Sequence, residues 1–374
     1  MRDAIAILLL LLAAALPVSS RAAAPLRLIG VARLPPDADA GGWPVGGLSG
    51  IDYDARSDTW FVVSDDKSEF GPSRFHAVTL PYDARAVGLP VFSSTMVMRD
   101  ARGAAFPASG AGAESLDSES IRIDPQGGFV VSSEGDPKDR FGPAIRRVDA
   151  QGRVMSQRVL PDLFTFDAMQ KTGPRPNRSL EGLSFASDGG LWAAMEAPLF
   201  QDAPFPSLTR GAPVRFTLFS HGGARQYVYA VDPLPPQAAG RVADNGVSEI
   251  LTVDDRHLLV LERSGVRQDD GDFHFFVRLY CASTENATEV SAMPSLAGRD
   301  YRVLRKRLVF DFAALAHPPS DNVEGMTWGR RLGNGNRSLV FVTDNNFSPR
   351  HASQFEVFEV ESGARAVQKA LGCP

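Results

Sequence analysis

Paired acidic residues recur along the chain at similar spacings. Glu119 and Glu134 lie 15 residues apart, and so do Glu181 and Glu196. Carboxylates that are brought close together raise one another's pKa values or attract cations. Hard oxygen donors of this kind suit Ca²⁺, which takes about six to eight oxygen ligands in loose geometry. The pairs therefore predict acid–base or calcium-assisted hydrolysis, and the absence of clustered His or Cys beside them disfavours zinc and copper.

Three further segments extend this pattern. Glu249 and Glu262 are 13 residues apart, Glu324 and Asp344 are 20 apart, and the first segment offers Asp65. We predict nine carboxylates as metal ligands: Asp65, Glu119, Glu134, Glu181, Glu196, Glu249, Glu262, Glu324 and Asp344. The glutamates that open four of the segments are also predicted to be catalytic: Glu119, Glu181, Glu249 and Glu324.

Basic residues lie beside several of these acids. Lys67 follows Asp65 and Asp66, Arg178 precedes Glu181, and Arg263 follows Glu262 directly. Arginine can hold a phosphate through two parallel hydrogen bonds, and cations together with a metal neutralise a phosphoryl group. We therefore predict that Lys67, Arg178 and Arg263 bind phosphate. The alternative for each is an ordinary surface ion pair.

The acids belong to a unit that is repeated five times. Each copy has an alternating apolar stretch, a turn rich in Asp and Gly, and a strongly β-forming run such as FVVS or LVFV. The opening glutamates follow one another after 62, 68 and 75 residues, which leaves room for about four strands in each period. This pattern predicts an all-β fold, a single β-propeller of five or six four-stranded blades. Pairing of the N-terminal strand 26–34 with the C-terminal strand 354–361 would close the ring.

Propeller topology gives the acids a common location. If the first two strands of each copy are innermost, the start of one and the end of the next face the same mouth of the central channel. The acids would then form an acidic mouth. In the alternative interpretation each glutamate only hydrogen-bonds backbone amides of the next blade and ties the ring together.

Composition and termini limit the setting of the protein. The chain has 374 residues and a net charge of −5, which argues against binding to nucleic acid. Residues 1–24 combine Arg2, an apolar run at 4–16 and small residues at 22–24, the pattern of a cleaved signal peptide. We expect residues 25–374 to form one exported domain, periplasmic or secreted, monomeric and without stable membrane insertion. Cys281 and Cys373 form either one disulfide or two separate thiols.

Four sequence motifs carry a family resemblance. They are LEGL at 180–183, DSESI at 117–121, NVEGM at 322–326 and FVTDNN at 341–346. Together they resemble the phytase-like family, exported bacterial proteins described as having an esterase-like activity of phytase, over about residues 28–361. The resemblance implies a propeller and, by analogy with propeller phytases, a calcium-dependent phosphomonoesterase acting on a small anionic substrate. The chain lacks the D-x-A-D-D-P-type signature of those phytases.

Two other functions fit the same pattern. A calcium-assisted lactonase or carboxylesterase would need about one metal's worth of carboxylates and few basic neighbours. A non-catalytic exported propeller would use its mouth only to bind a partner or polymer. The number of acids and the accompanying basic residues favour the phosphoesterase.

Overall fold

The computed structural model describes residues 25–315, 322–363 and 366–374, so the predicted signal peptide 1–24 lies outside the described residues. The N-terminal strand is β1 (Leu26–Arg33), followed by a small hairpin of β2 (Asp39–Ala40) and β3 (Trp43–Pro44). The helical segments of the described residues are short. They are three 3₁₀ turns at Asp162–Phe164, Pro236–Ala238 and Phe312–Ala314, and one helix, α1 (Val367–Ala370). No helix within the described ranges has the length and apolar character needed to cross a membrane.

The remaining strands form five antiparallel sheets of four strands, the blades. Blade 1 contains β4 (Leu48–Asp54), β5 (Thr59–Ser64), β6 (Arg74–Thr79) and β7 (Val91–Val97). Blade 2 contains β8 (Ser118–Ile123), β9 (Phe129–Ser133), β10 (Ala144–Val148) and β11 (Val154–Gln157). Blade 3 contains β12 (Leu180–Phe185), β13 (Leu191–Met195), β14 (Ala212–Ser220) and β15 (Gly223–Val231).

Blade 4 contains β16 (Gly246–Thr252), β17 (His257–Arg267), β18 (Phe273–Ser283) and β19 (Arg305–Asp311). Blade 5 contains β20 (Asn322–Arg331), β21 (Arg337–Asp344) and β22 (Gln354–Val360), completed by β1. The first strand of each blade is innermost and contacts the first strands of the two neighbouring blades. The described residues thus form a five-bladed propeller, which is the lower of the two predicted numbers, and a sixth blade is not needed.

The ends of the described chain close the ring. β1 runs antiparallel to β22, from Leu26 opposite Val360 to Arg33 opposite Gln354. This confirms the predicted pairing, which joins the two ends of the chain in one blade with β1 as its outermost strand. The second strands lie between neighbouring blades and are buried on both faces, as in β9 and β13, where every residue is buried. Because both faces of these strands are buried, their sequences are continuous apolar, β-forming runs and do not alternate between apolar and polar residues.

Each innermost strand has a bulge near its start. Pairing with the second strand skips one or two residues, for example between Leu180 and Leu183 in blade 3 and between Val323 and Gly325 in blade 5. An extra residue of this kind re-aims a side chain. Glycine follows the bulged position in blade 3 because a Cβ on Gly182 would lie 2.6 Å from the backbone nitrogen of Ile250. The bulge therefore turns the preceding side chain, Glu181, toward the mouth.

A single guanidinium closes the central channel. Arg122 of β8 is only 3% exposed and donates hydrogen bonds to one carbonyl of every innermost strand. The accepting oxygens and their distances are Leu183 and Ile51 at 2.6 Å, Ile121 at 3.0 Å, and Ile250 and Met326 at 3.3 Å. The Glu249 carboxylate balances its charge at 2.6 Å. We call this arrangement the Arg122 plug.

The two cysteines form a disulfide, so the first of the two alternatives is correct. Cys281 of β18 is joined to Cys373, 92 residues later, which fastens the C-terminal segment to blade 4. A crosslink that closes a loop of this length restricts the unfolded chain.

Removing this crosslink should lower the stability of the protein. For Cys373→Ser we expect the free energy of unfolding in urea to fall by about 2–4 kcal/mol. Reductant should lower the stability of the wild type by a similar amount and leave that of the variant unchanged. A loss below about 1 kcal/mol would show that the crosslink does not hold the C-terminal segment.

Candidate functional site

Acidic side chains from four blades converge at one end of the channel. Nine carboxylates of the described residues line or adjoin a cavity of about 250 Å³ there. They are Asp65, Asp117, Glu119, Glu134, Glu181, Glu196, Asp244, Glu324 and Asp344. We call this region the acidic mouth. The turn acids Asp54 and Asp124 lie at the opposite mouth, beyond the Arg122 plug, as expected for turns between the first two strands.

The carboxylates of the acidic mouth form three clusters, each with ligand oxygens within 4.8 Å of one another. The clusters are Asp65–Glu324–Asp344, Asp117–Glu119–Glu134 and Glu134–Glu181–Glu196. Glu134 belongs to two of them, so the second and third are continuous. An all-oxygen donor set of this type suits a hard cation such as Ca²⁺.

Strand register explains how the mouth is built. The bulged residue of the innermost strand is Glu119, Glu181 or Glu324 in blades 2, 3 and 5, and Ser49 in blade 1. The residue just after or at the end of the second strand is acidic in the same four blades: Asp65, Glu134, Glu196 and Asp344. Two structurally equivalent positions per blade therefore supply seven of the nine carboxylates.

Blade 4 departs from the prediction by one residue. Val247 pairs with Glu262, and Gly246 pairs with Arg263, so the bulged position is Ser248 and the second position is Arg263. The predicted alignment placed Glu249 and Glu262 there instead. Both glutamates consequently lie away from the acidic mouth.

The two displaced glutamates have other partners. Glu249 lies in the channel and is bound to Arg122 at 2.6 Å. Glu262 accepts a hydrogen bond from the Tyr229 hydroxyl at 2.6 Å and forms an ion pair with Lys306. Their predicted roles as metal ligands, and that of Glu249 in catalysis, are therefore not carried forward.

Arg263 places a positive charge in the acidic mouth, at the position where each of the other four blades has an acidic residue. Its guanidinium forms ion pairs with Glu324 and, at 3.3 Å, with Glu196. Burial lowers the pKa of Arg263, but the surrounding carboxylates, with Glu324 and Glu196 the strongest, outweigh it and raise the pKa. Arg263 therefore stays charged and links the acids of blades 3 and 5.

The other two predicted basic residues also lie at this mouth. Arg178 pairs with Asp244 and, at 3.5 Å, with Glu196, whose charge raises the pKa of Arg178. Lys67 contacts Asp117 at 2.7 Å; burial lowers its pKa, but Asp117, Glu119 and Glu134 together raise it by more. Both side chains remain about 30% exposed and can reach a bound anion.

Burial and mutual repulsion make these acids unusual. Burial, together with the neighbouring charges, raises the pKa of Glu119, Glu134 and Glu181 well above the ordinary value. Burial also raises the pKa of Glu196 to about 7, despite Arg178 and Arg263, and burial with Glu324 raises that of Asp344 to about 7. When all the carboxylates of the acidic mouth are ionised, they repel one another, and a bound cation would reduce this repulsion.

Sequence reasoning missed two acids of the mouth. Asp117 precedes Glu119 by two residues in the DSESI motif, and its Oδ1 is buried without a hydrogen-bond donor in the described part of the chain. Such an oxygen suits a cation ligand. Asp244 lies before β16, outside the repeated unit, and no sequence signal pointed to it.

Comparison with known families agrees with this architecture. The phytase-like family, described as esterase-like activity of phytase, matches residues 43–347. The chain belongs to the phytase-like family. The match spans the acidic mouth from Asp65 to Asp344, which confirms the resemblance found in the sequence. No curated protein matches this phytase-like chain.

Solved structures give only distant similarities to this phytase-like protein. MPT-4, a mannose phosphorylase from Leishmania mexicana, is 11% identical, with 92% of this chain and 91% of that chain covered and a TM-score of 0.41. A protein from Thermus thermophilus, named as a putative oxidoreductase (glucose dehydrogenase), is 15% identical, with 84% of each chain covered and a TM-score of 0.35. Similarities this weak carry no argument about function.

Proposed function

We propose that the acidic mouth is the active site of an exported, calcium-dependent hydrolase of phosphoric esters. The observation that carries the proposal is the combination of three carboxylate clusters with Arg178 and Arg263, which line the same cavity, and Lys67, which pairs with Asp117 of one cluster. Nine carboxylates exceed the needs of one cation, and basic residues are what an anionic substrate requires. The phytase-like family supports the same reaction class.

The residues divide into two groups in this proposal. The clusters around Glu134 and around Glu324 would hold Ca²⁺, which would supply charge neutralisation and an activated water. Lys67, Arg178 and Arg263 would contact the phosphate of a small anionic substrate. Each of these three basic side chains already contacts a carboxylate. When substrate binds, a phosphate oxygen would take the place of that carboxylate as the negatively charged partner.

Hydrolysis needs a proton acceptor within the mouth. The water oxygen forms a bond to phosphorus while the ester P–O bond breaks. A carboxylate accepts one water proton and can return it to the oxygen of the departing alkoxide, which then leaves as the alcohol. Glu181 is suited to this role because it lines the cavity within the third cluster and its raised pKa makes it a better base than an ordinary glutamate. Glu119 and Glu324 occupy the equivalent positions of blades 2 and 5.

The other functions considered receive less support. A lactonase or carboxylesterase needs about one metal and gives no role to three convergent cations. A purely binding propeller would not require buried carboxylates with strongly raised pKa values. The disulfide between Cys281 and Cys373 fits an oxidising compartment and supports export. We further propose that the protein acts as a monomer.

Calcium should stabilise the folded protein in a pH-dependent way. The ordinary pKa values of these acids are 3.8 for Asp and 4.5 for Glu, and those of Asp344 and Glu196 are raised to about 7 in the metal-free native state. Between about pH 4 and pH 7 the native state therefore holds protons that the unfolded state has lost. The metal-free protein should therefore lose stability as the pH rises through this range. Calcium binds the deprotonated ring, so its stabilising effect should grow over the same range.

Thermal unfolding with and without calcium measures this effect. At free calcium about 100 times the dissociation constant, one bound ion adds about 2.7 kcal/mol, so for a domain of this size we expect the melting temperature at pH 8 to rise by roughly 4 °C for each ion. The rise should be much smaller at pH 5, and magnesium at equal concentration serves as the control. Phosphomonoester turnover that persists in excess chelator would refute the calcium mechanism.

A further inference from the structure

A hairpin of blade 4 stands over the acidic mouth. Its strands β17 and β18 have 11 residues each, whereas the second strands of the other blades have five to eight. Their pairing continues past Arg263, which lies in the acidic ring, to Arg267 opposite Phe273. Residues 264–276 therefore extend beyond the ring, and we call them the tongue.

The tongue presents two aromatic rings to the cavity. Phe273 and Phe275 alternate along β18, so they share one face of the hairpin with Arg263, which pairs with Val277. The two rings are stacked at 6.4 Å, and Phe275 lies 5.8 Å from the Arg263 guanidinium carbon. Both line the same cavity as Glu119, Glu181 and Glu324.

The protein covers the two rings to different extents. Phe273 is 41% exposed, whereas Phe275 is half-buried and lies edge-on to the His351 ring at 6.0 Å. Both rings pack close to Gly265, where a Cβ would lie 3.4 Å from Phe273 and 3.6 Å from Phe275. Phe273 therefore leaves apolar surface open at the rim of a strongly polar cavity, which indicates a contact surface.

Contacts with blade 5 hold the tip of the tongue in place. Asp272 lies 2.9 Å from Nε2 of His351 and 3.6 Å from the Arg350 guanidinium. The backbone nitrogen of Gly265, at the base, donates to Asp244 at 3.2 Å. The rings are therefore positioned before any ligand binds, which lowers the entropic cost of using them.

The charged residues near the tongue are paired with one another. Asp269 forms an ion pair with Arg241, and Asp270 and Asp272 lie within 4.0 Å and 3.6 Å of the Arg350 guanidinium. The cations inside the mouth are likewise shared with carboxylates. The two aromatic rings therefore add an apolar surface to a rim whose charges are balanced.

We infer that the tongue makes this site specific for phosphate monoesters whose alcohol carries a flat apolar ring. This inference rests on the proposed function. The phosphate occupies the acidic mouth, and the ring of the alcohol packs against Phe273 and Phe275. Phe273 and Phe275 are thus specificity-determining residues.

Binding of two phosphonates to the calcium-loaded protein tests the inference without turnover. Phenylphosphonate and methylphosphonate have the same head group, and neither has an ester bond to hydrolyse. In calorimetric titrations we expect phenylphosphonate to bind about tenfold more tightly than methylphosphonate, since aromatic contacts supply this difference. Phe273→Ala with Phe275→Ala should remove the preference, so that the ratio of the two dissociation constants falls from about ten to about one.

Phe70→Ala is the matched control. Phe70 is a 53%-exposed ring that stacks on Phe347 instead of lining the cavity, and its removal should keep the preference. Phe273→Ala alone covers the case in which the double variant does not fold. Equal binding of the two phosphonates to the wild type, or an unchanged preference in the variants, would overturn the inference and leave the proposed function intact. If neither phosphonate bound to the calcium-loaded protein, the result would overturn both the inference and the proposed function.

Discussion

Replacing Glu181 and Glu324 by glutamine should abolish hydrolysis and weaken calcium binding while leaving the fold intact. The two glutamates belong to two of the three carboxylate clusters, so the double variant removes one ligand from each of these two and the proposed proton acceptor as well. We expect phosphomonoester turnover to fall at least about 100-fold, the minimum usual for losing a general base. The calcium-dependent rise in melting temperature should become smaller, because the cluster of Asp117, Glu119 and Glu134 stays complete.

Glu181→Gln alone separates the active-site interpretation from the one in which the glutamates only tie the blades together. Burial and like charges raise the pKa of Glu181, so removing its charge should stabilise the metal-free protein at pH 8. If Glu181 were a structural tie, this variant would instead unfold at a lower temperature. Asp269→Asn, which removes an exposed charge at the tip of the tongue, is the control.

The second large effect concerns the Arg122 plug. For Arg122→Met we expect the free energy of unfolding to fall by about 3–5 kcal/mol, because Glu249 is left as an unpaired buried charge. The five carbonyls also lose their common donor. Urea unfolding measures the loss.

A second substitution checks the cause of that loss. Adding Glu249→Gln to Arg122→Met should restore part of the lost stability, since it removes the orphaned charge. Glu249→Gln alone should cost less than Arg122→Met, because Arg122 keeps its carbonyl partners. A cost of less than about 1 kcal/mol for Arg122→Met would contradict the central role of this side chain.

The repeated unit was enough to predict the fold and most of the site. The glutamates recur because equivalent bulges occur in successive blades, so the predicted convergence of Glu119, Glu181 and Glu324 is correct. In blade 4 the acids Glu249 and Glu262 stand one residue away from the equivalent positions. The sequence does not reveal this offset, because each equivalent position has a glutamate directly beside it. A shift of one residue nevertheless points the side chain in a different direction.

Other features depended on contacts between distant segments. Arg122 lies in an alternating strand, and nothing local to IRID indicates that its guanidinium reaches the carbonyls of four other strands. The aromatic tongue likewise depends on the length of one strand pair relative to the other blades. Asp244 enters the mouth from a loop, where neither repeat nor periodicity gives a signal.

Closure of the channel by Arg122 has a kinetic consequence for anything that binds on the acidic side. The cavity is a blind pocket, so a reactant and its products share one passage. In the proposed reaction, the released phosphate would have to leave past the tongue before the next molecule could enter. Inorganic phosphate should consequently compete with the ester for the empty site, and raising the ester concentration should overcome its inhibition.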